Sequence, residues 1–348
     1  MNIDLSPIDR RKVKNLGEVL EMNNEVLGLM SRYLTVCPDF ITKELIEGIT
    51  GECEITLAEA YTSLLVAACG LDVENNPRDR YLSTAYLRSG IRRLDPQEYR
   101  MNPYYRQIRI PEAHFEKYKP YEAFVCDDIR TDEELKEIPQ IGFFDTEFSF
   151  PAVMEDGQEW MAIKPNEIET MRQPIARAAG QVVAFGLGMG YYAFMVSEKP
   201  EVKTLTIVER DENVIALFRE HILPQFPKKE KIDIVRQDAF EFATNCMSDG
   251  YYDHAFVDLW HDVSDGYPLY KQMKALEKNS PNTLFSYWIE DSLLSHLRWE
   301  LFHRMSDLLS ATAPAGEPVI LRPVYTYEQF VACLRNPFLR KLAGTGLL

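Results

Sequence analysis

The sequence is short of basic residues. It has 38 Lys and Arg against 54 Asp and Glu, which gives a formal net charge of −16 at pH 7. Because a protein that binds a nucleic-acid backbone needs a basic surface to neutralise the phosphates, we expect no nucleic-acid partner. The sequence also lacks an apolar run long enough to span a membrane. Met1–Asp4 leads into charged residues rather than into the apolar core of a signal peptide, so we expect a cytoplasmic protein that does not act at a membrane.

Cysteines are few and scattered. The chain has six, with no C-x-x-C pair, and several lie in apolar helical surroundings, as Cys69 does. This pattern predicts buried free thiols in a reducing compartment and argues against a disulfide framework or a zinc site. No spacing of possible ligands specifies a coordination sphere for another metal, so no metal is expected.

What the sequence does contain is a glycine-rich turn after a short apolar strand. The strand is Val182–Phe185, and residues 191–196 have the composition of a helix start. The turn between them consists of Gly186, Leu187, Gly188, Met189 and Gly190. A strand, a glycine turn and a helix in this order bring backbone N–H groups close to a ligand that side chains would hold away. The alternative is a tight turn in which the glycines serve packing alone.

Two acids follow at the ends of the next two predicted strands. Glu209 and Arg210 end an alternating β-type run about 20 residues after the last glycine. An acid at that distance is placed to accept hydrogen bonds from ribose hydroxyls. Asp238 and Ala239 follow a third strand, and we expect Asp238 to accept from the exocyclic amine of an adenine while Ala239 holds the base through its backbone N–H. These residues predict an adenosine pocket across three consecutive strand ends.

The spacing of the glycines decides between adenosine cofactors. A dinucleotide site needs G-x-G-x-x-G, whereas Tyr191 stands where that last glycine would be, and no Lys-Ser or Lys-Thr follows as a triphosphate loop requires. Together with the two acids, the turn resembles that of the class I S-adenosylmethionine-dependent methyltransferases, and within them the branch that includes the spermidine synthases. The resemblance implies S-adenosylmethionine as the cofactor. The residues that it assigns to cofactor binding are Gly186, Leu187, Gly188, Met189, Gly190, Glu209, Arg210, Asp238, Ala239, Asp258 and Trp260.

Three positions depart from the patterns of these families. Ala184 stands where the general family has an acid, although the spermidine-synthase branch tends to be apolar there. That branch also has an acid within the glycine turn, where this chain has Met189. Asp258 ends the fourth strand as the catalytic acid of spermidine synthases does, but His261 replaces their second acid. The last departure weighs against aminopropyl transfer.

Asp258 and His261 are the predicted catalytic residues. Methyl transfer is an in-line displacement from an activated sulfonium, so alignment supplies much of the rate, and a base is needed only for a nucleophile that is protonated at neutral pH. Histidine ordinarily titrates near neutral pH, which suits His261 to that role; the alternative is a loop histidine bonded to the backbone. Trp260 and Tyr191 are placed to face the sulfonium or a cationic substrate. Further acids that favour a cationic substrate are Asp262, Asp265, Glu290 and Asp291.

A hairpin and an acidic helix start precede the glycine strand. Residues 148–150 and 160–163 alternate around the turn signal Asp156-Gly157. Hairpin, helix and glycine strand in this order also resemble the spermidine synthases, whose helix start helps to line the active site. The resemblance makes Glu167 and Glu169 candidate site residues, although acids are favoured in any first helical turn.

Strand and helix patterns alternate from Val182 onwards. This alternation predicts a doubly wound, Rossmann-like, mostly parallel α/β sheet with its ligands at the carboxyl ends of the strands. The predicted strands are 182–185, 204–208, 232–235, 254–258 and 284–289, with 319–321 as a candidate sixth. The predicted helices before the sheet are 16–33, 39–46, 56–70 and 81–93, and the tyrosine-rich stretch 103–121 is predicted to be a packed connector rather than a wall over the substrate.

Three domains are expected. Residues 1–140 form a helical N-terminal domain that serves as a substrate cap or in oligomerisation. Residues 141–180 form the hairpin and a connecting helix, and residues 181–348 form the Rossmann-like S-adenosylmethionine-binding domain.

We therefore predict an S-adenosylmethionine-dependent methyltransferase that acts on a small, cationic molecule. The N-x-P-P loop of amide and base N-methyltransferases is absent, which disfavours methylation of DNA bases. Two alternatives are open: a spermidine-synthase-like aminopropyltransferase that uses decarboxylated S-adenosylmethionine, and a non-catalytic protein that keeps the cofactor pocket. The expected partners are the small-molecule substrate and a second copy of the chain in a homodimer.

Overall fold

Three helices open the chain. The computed structural model describes residues 3–52, 54–71, 87–110, 114–155, 157–247, 249–310 and 323–345. The first helices are α1 (Pro7–Val36), α2 (Lys43–Glu52) and α3 (Leu57–Ala68). Thr56 and Glu59 form the predicted capping box at the start of α3. The prediction that Asp39 caps a helix is wrong: its carboxylate pairs with Lys119 at 2.6 Å, and the hydroxyl of Thr42 accepts from the first turn of α2 instead.

Helix α1 is shared by two hydrophobic clusters. Its first half, including Leu16 and Leu20, packs into the cluster that continues through the central sheet. Its second half, including Val26 and Met30, packs against the other two helices. The helical spacing of these residues, which predicted a helix over 16–33, places them along one buried face. The first third of the chain is thereby anchored on the core of the rest.

Short strands, not helices, dominate the next part of the chain. The elements are β1 (Ile91–Arg93), α4 (Pro96–Arg100), α5 (Pro103–Gln107), β2 (His114–Tyr118), β3 (Phe124–Val125), β4 (Arg130–Thr131), β5 (Glu137–Ile138), β6 (Ile141–Phe143), β7 (Phe148–Glu155) and β8 (Gln158–Ala162). Strands β7 and β8 form the predicted antiparallel hairpin, and β2 pairs with the other edge of β7. Asp156 of the predicted turn lies outside the described residues.

The helix predicted over 81–93 is wrong at its described end. Ile91–Arg93 is β1, which pairs in parallel with β6. Gly90 permits this pairing, because a Cβ there would lie 2.1 Å from the backbone oxygen of Pro139. The start of the predicted helix, residues 81–86, lies outside the described part of the chain.

A parallel sheet with its helices makes up the remainder. The elements are α6 (Pro165–Thr170), α7 (Arg172–Arg177), β9 (Gly180–Phe185), α8 (Tyr191–Ser197), β10 (Val202–Glu209), α9 (Glu212–Leu217), β11 (Ile232–Arg236), α10 (Ala239–Asn245), β12 (His254–Val257), α11 (Val263–Leu276), β13 (Leu284–Tyr287), α12 (Glu290–Ser310), α13 (Tyr327–Leu334) and α14 (Asn336–Ala343). The strand order is β11-β10-β9-β12-β13, and every pairing is parallel. The predicted doubly wound α/β fold and its five strands are confirmed, although β10 begins and β13 ends earlier than predicted.

The strand order places a ligand crevice at β9. The chain runs from β9 outward to β10 and β11 and then returns to β12 on the other side of β9. At such a reversal the two neighbouring connections leave in opposite directions, which opens a crevice beyond the carboxyl ends of the strands. The predicted sixth strand, 319–321, lies outside the described residues. Among the described helices, none is both long and apolar enough to cross a membrane.

A buried ion pair joins the two halves of the chain. Arg298 on α12 pairs with Glu137 on β5, and the side chains are only 1% and 3% exposed. Arg298 also donates to the backbone oxygen of Leu334 at 2.9 Å and to the side chain of Asn336. Ser295 donates to the other carboxylate oxygen of Glu137 at 2.7 Å. These bonds satisfy a charge pair that would otherwise be costly to bury.

Candidate cofactor and acceptor site

The glycine turn lies at the crevice, directly after β9. Gly186, Gly188 and Gly190 have φ values of 99°, 50° and 76°, all in the left-handed region that favours glycine. A Cβ on Gly186 would lie 2.0 Å from the backbone oxygen of Asp258, and one on Gly190 would lie 2.4 Å from the ring of Phe218. A Cβ on Gly188 would meet nothing within 4 Å. Packing therefore accounts for the first and last glycines, while Gly188 borders open space that suits a ligand.

The tyrosine-rich stretch packs against this turn and the helix that follows it. The hydroxyl of Tyr104 donates to the backbone oxygen of Met189 at 2.6 Å, and the ring of Tyr104 packs edge-on against Tyr191 and Phe194. Asn102 donates to the hydroxyl of Tyr191 at 3.0 Å. The packed connector that the sequence predicted is therefore also the support of the glycine turn. No sequence signal pointed to that second role, because the contacts join residues that are far apart in the chain.

Glu209 ties the second strand end to the glycine turn. Its carboxylate accepts from the backbone N–H of Leu187 at 3.2 Å and from that of Asp211 at 2.8 Å. Each carboxylate oxygen has two lone pairs, so ribose hydroxyls can bond to the same group. Arg210, the next residue, is exposed. The predicted ribose acceptor thus lies against the turn that it was expected to complement.

Asp238 lies beside Glu209 at the third strand end. Gln237 donates to the backbone oxygen of Glu209 at 3.2 Å, which holds the two strand ends together. Oxygen Oδ1 of Asp238 caps α10 by accepting from the backbone N–H of Phe240 and Glu241. Its Oδ2 has no hydrogen-bond partner among the described residues, and Ala239 is buried as the first residue of α10. An acceptor is therefore left for an adenine amine, and the residues present fit an adenosine group.

Asp258 and Glu167 form a pair of carboxyl groups beside this cradle. The backbone N–H of Asp258 donates to Phe185 at 2.9 Å, next to the glycine turn. Burial raises the pKa of Asp258 well above its usual range, and the negative charge of Glu167 raises it further. Burial also raises the pKa of Glu167, to about 7, while Lys164 lowers it and Glu159 raises it. In the described ranges, neither carboxyl group has a hydrogen-bonded or ion-paired partner, which suits both to bind a cation.

The other candidate acids are occupied by the protein itself. Glu169 accepts from Tyr99 at 2.9 Å and from Arg172 at 2.7 Å. Glu290 and Asp291 both bond to Arg340. Asp262 and Asp265 form the capping box of α11. The acid cluster inferred from the sequence therefore serves the fold, and Glu167 and Asp258 are the acids that remain for a ligand.

The loop after Asp258 holds the remaining predicted residues. His261 is exposed, with 70% of its side chain accessible, and its Nδ1 lies 3.1 Å from Asp265. Trp260 is buried against Gly266 and stacks on Tyr287, and its indole N–H has no partner among the described residues. The local bonding of His261 matches a loop histidine, so its catalytic role stays a prediction. Over the described ranges, no three His, Cys, Asp or Glu residues come together as a metal site would require.

Comparison with known families covers the same part of the chain. Residues 131–277 match the family model of the spermine/spermidine synthase domain. The resemblance to the spermidine-synthase-like branch is confirmed. The match includes the helix start with Glu167, the glycine turn, Glu209, Asp238 and Asp258. The spermidine-synthase-like segment therefore contains both the adenosine cradle and the carboxyl pair.

Solved structures show weaker similarity. Spermidine synthase from Thermotoga maritima is 16% identical, with 40% of this chain and 49% of that chain covered and a TM-score of 0.30. A spermidine synthase in complex with the transition-state analogue AdoDATO is 18% identical, with 40% and 50% covered and a TM-score of 0.31. The chain thus spans about half the length of these proteins. No curated protein matches the chain.

Proposed function

We propose that the protein transfers an alkyl group from an adenosyl sulfonium donor to an amine acceptor. The observation that carries this proposal is the pair of carboxyl groups, Asp258 and Glu167, beside a glycine turn that leaves space for an adenosine. When bound, the donor supplies a positively charged sulfur that activates the neighbouring carbon for in-line displacement. Gly188, Glu209 and Asp238 would hold its adenosine, and the carboxyl pair would lie towards the acceptor.

The carboxyl pair has two tasks in this proposal. An aliphatic amine is protonated at neutral pH, so it arrives as a cation and must lose a proton before its nitrogen can attack. A bound ammonium group favours the ionised form of Asp258 over the protonated form that burial favours, so Asp258 would then hold the ammonium group by charge. Glu167, whose pKa is raised to about 7, is suited to accept the proton, because a base is most effective when its pKa is near the working pH. Partial burial of both groups strengthens their attraction for a cation.

The acids favour aminopropyl transfer from decarboxylated S-adenosylmethionine. A donor that kept its carboxylate would bring a third negative charge towards Asp258 and Glu167. Lys164, the cation that acts on Glu167, is itself paired with Glu159 at 2.6 Å. The match of residues 131–277 to the spermine/spermidine synthase domain supports this choice at least as well as methyl transfer.

Methyl transfer from S-adenosylmethionine is the second candidate. Two departures favour it: Met189 and His261 stand where the spermidine-synthase branch has acids. With Met189 in the turn, a donor carboxylate would meet one acid fewer than in that branch.

Calorimetry with four ligands separates the two candidates. The ligands are S-adenosylmethionine, its decarboxylated form, S-adenosylhomocysteine and methylthioadenosine. Aminopropyl transfer predicts that the two ligands without a carboxylate bind more tightly; methyl transfer predicts the reverse. Incubation of the protein with α,ω-diaminoalkanes and a donor should then separate the reactions. Aminopropyl transfer should release methylthioadenosine from decarboxylated S-adenosylmethionine, and methyl transfer should release S-adenosylhomocysteine from S-adenosylmethionine. Binding of adenosyl ligands without release of either product from any amine would favour the non-catalytic alternative and contradict the proposal.

A further inference from the structure

Trp288 connects the supports of the two carboxyl groups. It follows β13 directly and is only 7% exposed. Its backbone N–H donates to the oxygen of Val257 at 2.9 Å, and Val257 is the residue before Asp258. Its indole N–H donates to the hydroxyl of Thr170 at 2.9 Å, in the last turn of α6. One residue thus bonds to the strand end that carries Asp258 and to the helix that carries Glu167.

The hydroxyl of Thr170 connects Trp288 to the helical turn that contains Glu167. It donates to the backbone oxygen of Asn166 at 2.7 Å and lies 3.5 Å from the backbone oxygen of Glu167. The hydroxyl therefore accepts from Trp288 and donates into α6, so all of its bonds are oriented without conflict. The chain of bonds runs from Asp258 through Val257, Trp288 and Thr170 to the backbone of Glu167.

The residue after Trp288 has a strained backbone. Ile289 has a φ of 44°, in the left-handed region that β-branched residues avoid. It turns the chain from β13 into α12, and its backbone oxygen accepts from Leu293 at 3.2 Å. Such a conformation persists only where the surroundings hold it in place. Here the surroundings include the two bonds of Trp288, to Val257 and to Thr170.

We infer that Trp288 is a positioning residue that fixes the separation of Asp258 and Glu167 through its bond to Thr170. The importance of that separation rests on the proposed function, in which the pair binds the acceptor. The geometry itself does not depend on it. Because the two groups carry like charges, their separation controls how strongly each disfavours ionisation of the other. A change in separation is therefore measurable as a change in titration.

The charged and titratable groups around the pair come from three further places. Lys164 precedes α6, Glu159 lies on β8 and Tyr118 lies on β2. Burial raises the pKa of Tyr118, and the charges of Glu159 and Glu167 raise it further. None of these side chains is bonded to Trp288 or Thr170. Loss of the Trp288–Thr170 bond therefore acts on the pair by allowing a larger separation of the two carboxyl groups and more access of solvent to them. Both effects lower the titration midpoint of Asp258 towards its ordinary value.

The test is a carboxyl ¹³C NMR titration of the full chain labelled at Asp and Glu. Asp258→Asn and Glu167→Gln assign the two resonances. Thr170→Val removes the hydroxyl at constant volume, Trp288→Phe keeps a ring without the N–H, and Thr170→Ser is the matched control that keeps the hydroxyl. We expect the titration midpoint of Asp258 to fall by about half a pH unit or more in Thr170→Val and in Trp288→Phe. It should stay at the wild-type value in Thr170→Ser.

Unchanged midpoints in a folded Thr170→Val variant would overturn the inference, whatever its melting temperature, because a purely structural role lowers stability without moving the titration. If Trp288→Phe does not fold, Thr170→Val with Thr170→Ser carries the test. A calorimetric titration of the wild-type protein with 1,4-diaminobutane separates the two proposals. Moved midpoints without diamine binding would support the positioning role and count against the proposed function.

Discussion

Glu209→Ala removes two sets of hydrogen bonds that different experiments detect. The bonds to the backbone N–H groups of Leu187 and Asp211 are lost with or without a ligand, so they affect folding. At about 0.5–1.5 kcal/mol each, their loss should lower the free energy of unfolding by about 1–3 kcal/mol. The bonds to ribose hydroxyls are lost only from the complex. Hydrogen bonds to a charged group contribute about 1.5–3 kcal/mol, so the affinity for adenosyl ligands should fall about 10- to 150-fold.

Urea unfolding measures the first effect and calorimetric titration with methylthioadenosine and S-adenosylhomocysteine measures the second. Asp211→Ala is a matched control, because its carboxylate caps α9 by accepting from the backbone N–H of Asn213 at 2.7 Å. That variant should lose about 1 kcal/mol of stability and keep the wild-type affinity. A folded Glu209→Ala protein that binds with the wild-type dissociation constant would refute the assignment of Glu209 to the ribose.

Four further substitutions test the cradle and the carboxyl pair. Gly188→Ala should cost about 1 kcal/mol of stability because the left-handed φ of this position disfavours alanine. It should also weaken the binding of adenosyl ligands by about tenfold or more in calorimetry. Gly190→Ala should instead lower the melting temperature of the free protein, because its Cβ would clash with the ring of Phe218. Folding favours the protonated form of Glu167, whose pKa rises from 4.5 to about 7, so stability is lost as the pH rises through 7. Glu167→Gln should therefore stabilise the protein by about 1–3 kcal/mol at pH 8 and by less at pH 5, measured by urea unfolding; equal effects at both values would contradict the burial of this group. Lys164→Met should raise the pKa of Glu167 in the NMR titration, because a cation that favours the carboxylate is lost; an unchanged midpoint would contradict that coupling.

The features that could be predicted from sequence are those set by local pattern. The five core strands are short apolar or alternating runs between helical segments, and the glycine turn has its own spacing. Glu209 and Asp238 follow because the carboxyl ends of parallel strands meet at one edge of the sheet. Each of these predictions needed only residues close together in the chain and the topology of the fold.

What could not be predicted depends on partners from distant parts of the chain. Glu290 and Asp291 have the same local appearance as ligand-binding acids, but Arg340 on α14 pairs with both. Glu167 and Glu169 differ by two positions, and only the presence of Tyr99 and Arg172 beside the second one distinguishes them. The three-residue strand β1 could not be predicted because its pairing partner β6 lies far away in the sequence, with Ile91 opposite Ile141. The sequence carries no local sign of such pairs.

The buried pair of Arg298 and Glu137 restricts how this chain can be divided. A fragment that began at residue 141 would contain every element of the adenosine cradle and would still leave the guanidinium of Arg298 in an apolar interior without its carboxylate. Loss of one member of such a pair costs about 3–5 kcal/mol, a large part of the stability of a typical domain. Exchange of the N-terminal region between relatives would succeed only if the incoming segment supplied an acid at the position of Glu137. The two halves of the chain are therefore expected to be inherited together.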